Sequence, residues 1–420
     1  MEKRTFLRHI GRFAAVTPFL PYALQASNTE FPDGYVLEKD NDFWQRIRAD
    51  YALKPEYINL ENGYYNIAPQ PVLNKFLDHV KKVNYEGSYY MRTVQWDNKK
   101  GIAARLAHLV GCAAEELIIT RNTTESLDLI ISGYPWKSGD EAIFAMQDYG
   151  AMKDQFELIA QRFGVVNKVV SIPNHPKSDD EIVALYEAKI TSKTRLMMVC
   201  HMINITGQIL PVRKICEMAH GHGVEVMVDG AHCVGHIDVN IEALDCDYYG
   251  SSLHKWLSTP LGAGLLYVAK KNIQKVWPLL ADAIDEPDNI YRLNHTGTHP
   301  VHTDLAIADA MDYLEIIGMD RKEARLRYLQ RYWSDPLREV EQVVINTPVE
   351  VHRSCGIANV GIRHMSPENL AKTLMDEFGV FTVAIDRANV QGCRITPNIY
   401  TTTEELDRFA GAIKILAARR

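Results

Sequence analysis

From residue 116 to 269 the chain alternates short apolar runs with stretches of helical period. The runs ELIIT (116–120), EAIFA (141–145), NKVVSI (167–172), RLMMVC (195–200), VEVMVD (224–229), CDYYGSS (246–252) and AGLLYVA (263–269) have the length and composition of strands. Segments between the first five, such as TTESLDLIISG and AMKDQFELIAQRFG, carry helical period. This alternation predicts an α/β fold: a mostly parallel, seven-stranded sheet between helices. Ligands of such sheets bind beyond the carboxyl ends of the strands.

The pattern changes near residue 300. Two long helical stretches, HTDLAIADAMDYLEIIG and DRKEARLRYLQRYWSDPLREV, precede the short strands GIANVGIR, FTVAID and CRITP and a last helix, TTEELDRFAGAIKILAAR. They predict a smaller α+β lobe. The expected organisation is a leader at 1–26, an N-terminal arm at 27–60, a large domain at 61–295 and a small domain at 296–420.

Charge and cysteine usage narrow the function. The 420 residues carry a net charge of −7 with acids and bases mixed, and no basic stripe suits nucleic acid. The seven cysteines include no C-x-x-C pair and read as small buried residues rather than a disulfide framework. The leader is basic at Lys3, Arg4 and Arg8, then apolar from Phe13 to Ala26. It is too short, and too broken by Pro18 and Pro21, to span a membrane, and Ala26 suits a cut site. KRTFLRH resembles a twin-arginine export signal with Lys3 in place of the first arginine. An exported, periplasmic protein is therefore expected; the alternative is a cytoplasmic protein with an amphipathic N-terminus.

Five strand ends carry polar chemistry. Asp229 closes a strand, where it could serve a ligand or cap a helix. Lys255 follows the next strand, beside Ser252 and His254; a lysine in a partly apolar site becomes a nucleophile. In TRNTTESL (120–127), Thr123 and Thr124 open a helix whose free N–H groups suit a phosphate, or are an ordinary cap. Tyr149 offers an aromatic plate, and Asn204 precedes the Gly207 turn. Together these groups fit a planar, phosphorylated aldehyde with a basic ring nitrogen, which is pyridoxal 5′-phosphate (PLP).

The run VMVDGAHCVGHIDVNIEALDCDYYGSSLHKWLSTPLGAGLLYV resembles the core of class-V aminotransferase-type PLP enzymes of fold type I. ARLAHLVGCAAEELIITRNTTESL, HTGTH and CRITPNIYTTTEELDRF extend the likeness, and RNTTE and HKW suggest the isopenicillin N epimerase-like branch. The resemblance implies that Lys255 forms the imine with PLP, Asp229 pairs with the ring nitrogen, and Tyr149 stacks on the ring. Asn204 and His232 would lie near the ring hydroxyl. Thr124, Ser252 and His254 would hold the phosphate, with Thr123 nearby. Thr298 would reach the phosphate of a neighbouring subunit, which implies a homodimer with shared sites. Arg394 would bind the substrate carboxylate, and Asn62 would line the substrate entrance.

This loop assignment also accounts for His295, His299 and His302, so no metal is expected. Cysteine desulfurases of the family carry a catalytic cysteine in a loop before the carboxylate arginine. Here that region offers only Cys393, adjoining Arg394 on a strand, so desulfurase chemistry is not expected. The expected reaction is transformation of an amino acid, or an amino-acid moiety, at Cα: epimerisation or transamination. One alternative is an exported, oxidatively decarboxylating enzyme that tailors a glutamyl group of a siderophore such as pyoverdine. Another is a non-catalytic binding protein on the same fold.

Overall fold

A computed structural model describes residues 39–281 and 286–419. The expected leader (1–26) and the start of the expected arm, through residue 38, lie outside the described residues.

In chain order the strands are β1 (Ile58–Asn59), β2 (Leu117–Thr120), β3 (Glu141–Ala145), β4 (Val166–Val170), β5 (Thr194–Cys200), β6 (Glu225–Asp229), β7 (Tyr248–Ser252), β8 (Gly264–Val268), β9 (Val343–Ile345), β10 (Ala358–Ile362), β11 (Val380–Phe381), β12 (Val383–Arg387) and β13 (Val390–Ile395). The large sheet runs β2-β8-β7-β6-β5-β3-β4. Six strands are parallel; β8 alone runs against its neighbours β2 and β7. Consecutive strand residues feed opposite cores. Ile143, Met197 and Val228 pack on one face; Phe144, Met198 and Met227 pack on the other. Burial on both faces explains why these strands read as unbroken apolar runs.

The second lobe is the antiparallel sheet β12-β13-β10-β9, packed with helices Met319–Leu337, Pro367–Phe378 and Thr403–Ala418. The expected arm and boundary sit differently from a simple division at 60 and 295. Strand β1 pairs in parallel with β11 of the small lobe, and Arg48 forms a fork with Glu405. Helix Val301–Ile317 packs on helices Gln70–Glu86 and Gln95–Leu109, because Ile307, Ala310, Met311 and Leu314 complete the large core. All seven cysteines are free thiols, and only Cys112 is not fully buried.

One turn matters for the site. Ala388 and Asn389, with φ of 53° and 63°, join β12 to β13 across the pair Arg387 and Val390. Two consecutive left-handed residues are the signature of a tight two-residue hairpin turn. Gln147 anchors the turn to the large lobe by donating to the Ala388 carbonyl at 3.3 Å.

Candidate functional site

The parallel strands end on one edge, and their polar residues line a cavity of about 580 Å³ between that edge and β12–β13. Thr123, Thr124, Tyr149, Asn204, Asp229, His232, Ser252, His254, Lys255 and Arg394 all face it. Sequence reasoning placed each of these ten at the site.

Lys255 leaves β7 in the loop that returns to β8. Burial pulls its amine down to about 8, with Asp229 opposing and Arg394 adding to the effect. Its Nζ lies 3.3 Å from His232 Nε2. On the other side of that ring, the Trp256 indole N–H donates to His232 Nδ1 at 3.2 Å. An indole can only donate, so Nδ1 is an acceptor and the ring's proton sits on Nε2. Burial, reinforced by the Lys255 charge, holds His232 well below its ordinary pKa, so the ring is neutral. A neutral imidazole that donates from Nε2 matches a neutral Lys255 amine, the form that attacks an aldehyde. His236 supports this row: it stacks on Trp256 at 3.7 Å between centroids and bonds the His232 carbonyl from Nδ1 at 2.8 Å.

Asp229 ends β6 almost fully buried, and one carboxylate oxygen accepts from the Ala231 amide at 2.9 Å. Burial raises its pKa, offset by that amide and by Lys255. A buried carboxyl at the mouth of a strand is stabilised by a cation, and the protonated ring nitrogen of PLP is one. Gly230 beside it is required by space: a Cβ there would lie 2.1 Å from the Tyr249 ring.

A cradle of polar groups is built from two strand ends. Asn122 caps helix Thr123–Gly133 by accepting from Glu125 N–H at 2.9 Å. Thr123 donates its amide to Ser252 Oγ at 2.9 Å, and the two hydroxyls lie 2.7 Å apart. Helix N–H groups, hydroxyls and the His254 ring thus converge where an anion binds well. Burial, aided by Lys255, brings His254 down to about 4, so its ring is neutral and able to donate. The donor set therefore fits PLP at three separate points: amine, ring nitrogen and phosphate.

Arg394 is nearly buried and already engaged. Its Nε and Nη2 form a fork with Glu61, and Nη1 donates to the Asn204 carbonyl at 3.2 Å. The Tyr64 amide holds the same Glu61 carboxylate at 3.0 Å. Gly63 lies flat on the guanidinium; a Cβ there would be 2.8 Å from Cζ. Glu61 is the main residue that sequence reasoning missed. It adjoins Asn62 in ENGYYN, but its pairing with a residue 333 positions away leaves no local signal.

Two expected residues lie elsewhere. Asn62 is fully buried behind the cavity, where it accepts from Tyr400 at 2.5 Å and donates to the Thr396 carbonyl at 2.7 Å. It supports the 61–64 strap rather than lining the entrance. Thr298 is exposed in the loop before helix Val301–Ile317 and does not line this chain's cavity. In the same loop, His299 contacts Lys99 at 3.2 Å and meets the Trp96 ring edge-on.

Comparison with known proteins agrees with this geometry. The chain is 28% identical over 404 residues to the isopenicillin N epimerase of Amycolatopsis lactamdurans, covering 89% of this chain and 98% of the relative. It is 26% identical over 408 residues to a cysteine desulfurase of Dickeya dadantii, covering 88% and 95%. Among solved structures, apo cysteine desulfurase from Thermococcus onnurineus NA1 superposes with a TM-score of 0.78 at 22% identity, covering 89% of this chain and 98% of that one. C-DES with glycine covalently linked to its PLP cofactor also gives 0.78, at 19% identity and 87% and 98% coverage. The fold is PLP fold type I, and the cofactor is pyridoxal 5′-phosphate. The model of the family "Aminotransferase class-V" matches residues 67–409, and the chain belongs to that family.

Proposed function

We propose that this protein transforms an amino acid, or the amino-acid part of a larger metabolite, at Cα, in the manner of an epimerase or aminotransferase. The observation that carries the reading is the Lys255 amine, 3.3 Å from a neutral His232 in the floor of the cavity. Bound there, PLP supplies an electron sink for charge developing at Cα. Asp229 keeps the ring nitrogen protonated, Tyr149 covers the ring, and Thr123, Thr124, Ser252 and His254 hold the phosphate. Arg394 orients the substrate carboxylate. Lys255 would serve as the base for the Cα proton.

Desulfurase chemistry is not part of this reading. Cys393 adjoins Arg394 but faces the small-lobe core, fully buried, its thiol 3.6 Å from the Pro367 carbonyl and raised to about 12 by burial. Burial of this kind argues against a role for this thiol as the thiolate nucleophile. The reading also includes a homodimer, for which the support is exposed Thr298, and export by the leader, for which the support is sequence alone. Sedimentation and cell fractionation test these two.

The reaction is tested by incubating the holoenzyme with amino acids and peptides in heavy water under air. Deuterium gained at Cα with the skeleton intact is expected. Loss of the carboxyl group would replace the reading with a decarboxylating one. Turnover that persists in Lys255→Ala would sink both. A protein that binds PLP and alters no amino acid would be a binding protein.

A further inference from the structure

Three arginines line the cavity, and two are neutralised. Arg121 is forked to Glu125 with both contacts at 3.1 Å, and Arg394 is forked to Glu61. Arg387 is the exception: it is exposed, it stands at the rim of this cavity and of a second one beside the β12–β13 turn, and its guanidinium makes no hydrogen bond or ion pair with any described residue. Its neighbour Asp386 is turned to the Gln391 amide, 3.1 Å away.

The sheet register relates Arg387 to Arg394. Arg394 pairs with Val383 across the β12–β13 ladder, and cross-strand partners project to the same face. Arg387 lies four residues beyond Val383, so strand alternation returns it to that face. The two arginines therefore rise from one surface about 13 Å apart along the strands, a span two long side chains close over a small ligand. Val383 and Ile385 form the apolar wall between them. With its side edge on Glu61 and Nη1 on Asn204, Arg394 presents its end to the cavity for one carboxylate.

We infer that Arg387 is a second carboxylate-binding residue and that the substrate is dicarboxylic: an amino acid, or an amino-acid unit of a larger molecule, with a distal carboxylate a few carbons from Cα. This rests on the reading that Arg394 takes the first carboxylate. The uncompensated charge selects for the second one, since an amide or methyl in its place leaves the cation without a partner.

The test is calorimetric titration of the holoprotein with succinate, glutarate and adipate and with their monoamides, probes that lack an amine and are not turned over. At least one dicarboxylate should bind roughly tenfold or more tightly than its monoamide. Arg387→Gln should abolish that preference while the monoamide binds as before, and Arg394→Lys should weaken both. A missing preference, or one that survives Arg387→Gln, overturns the second site alone. Loss of PLP affinity in Arg387→Gln, with the preference intact, also overturns it by giving the guanidinium to the phosphate. Failure of every probe to bind, with Arg394→Lys silent, overturns the role of Arg394 and the second site together.

Discussion

The indole of Trp256 points its N–H at Nδ1 of His232, and this one contact fixes which ring nitrogen faces Lys255. The tryptophan that follows the lysine in sequence therefore acts on it through a third residue. It positions a proton donor against the amine and stabilises the uncharged form.

Trp256→Phe keeps an aromatic ring but removes the donor, so His232 is free to exchange tautomers. Losing a neutral hydrogen bond to the amine should raise the Lys255 pKa, by up to about one unit. The rate of PLP uptake by the apoprotein, followed against pH, should shift to the alkaline side by that amount. A profile that stays in place would show that the tautomer is set in another way.

Lys322 lies fully buried beneath the same loop and donates to the Trp256 carbonyl. Burial lowers its pKa from 10.5 to about 7. Between those values the unfolded chain holds a proton that the folded chain does not, so stability rises with pH across the window. Lowering the pH from 10.5 costs stability until about 7, below which both states are protonated. Lys322→Met removes this slope: its denaturation midpoint should vary less between pH 7 and 10 than that of the parent. Equal slopes in urea titrations would place the lysine's proton elsewhere.

Glu61→Ala leaves Arg394 buried without its counter-charge. Breaking a buried pair in this way costs about 3 kcal/mol or more. The amino-acid KM should rise more than kcat falls, because the guanidinium loses its orientation. Glu61→Gln should recover part of the KM effect, since an amide oxygen can still accept from Nη2. A fall in kcat alone would contradict the positioning role.

Cys393→Ala should cost about 1 kcal/mol of stability, as a small core truncation. Turnover of amino acids should stay within about twofold, because the thiol is buried against Pro367 and distant in function from Lys255. A collapse of activity, with sulfur release by the parent, would restore the desulfurase reading.

The fold was legible because parallel strands buried on both faces must be continuous apolar runs, as β3, β5 and β6 are. The site was legible where polar residues stand at strand ends on one cavity, as Asp229 and Lys255 do. Legibility failed where a role depends on a distant partner. Nothing near Glu61 announces Arg394, and nothing in the CRITP strand announces that Arg387 stands four residues past its partner's register. Asn62 was misplaced by one position within its own motif, because a turn decides which neighbour faces inward. Trp256 adjoins Lys255 in the chain, but its role depends on where the fold puts His232.

The tight turn at Ala388 and Asn389 also determines which face of β13 the cavity receives. Sulfur and nitrogen stand next to each other at Cys393 and Arg394, on opposite faces of one strand. Adding or deleting a single residue in that turn would slide β13 by one position against β12 and exchange them. The guanidinium would go into the lobe's interior and the thiol would come out on the cavity side. Two left-handed residues thus hold the guanidinium, and not the Cys393 thiol, on the cavity side of β13.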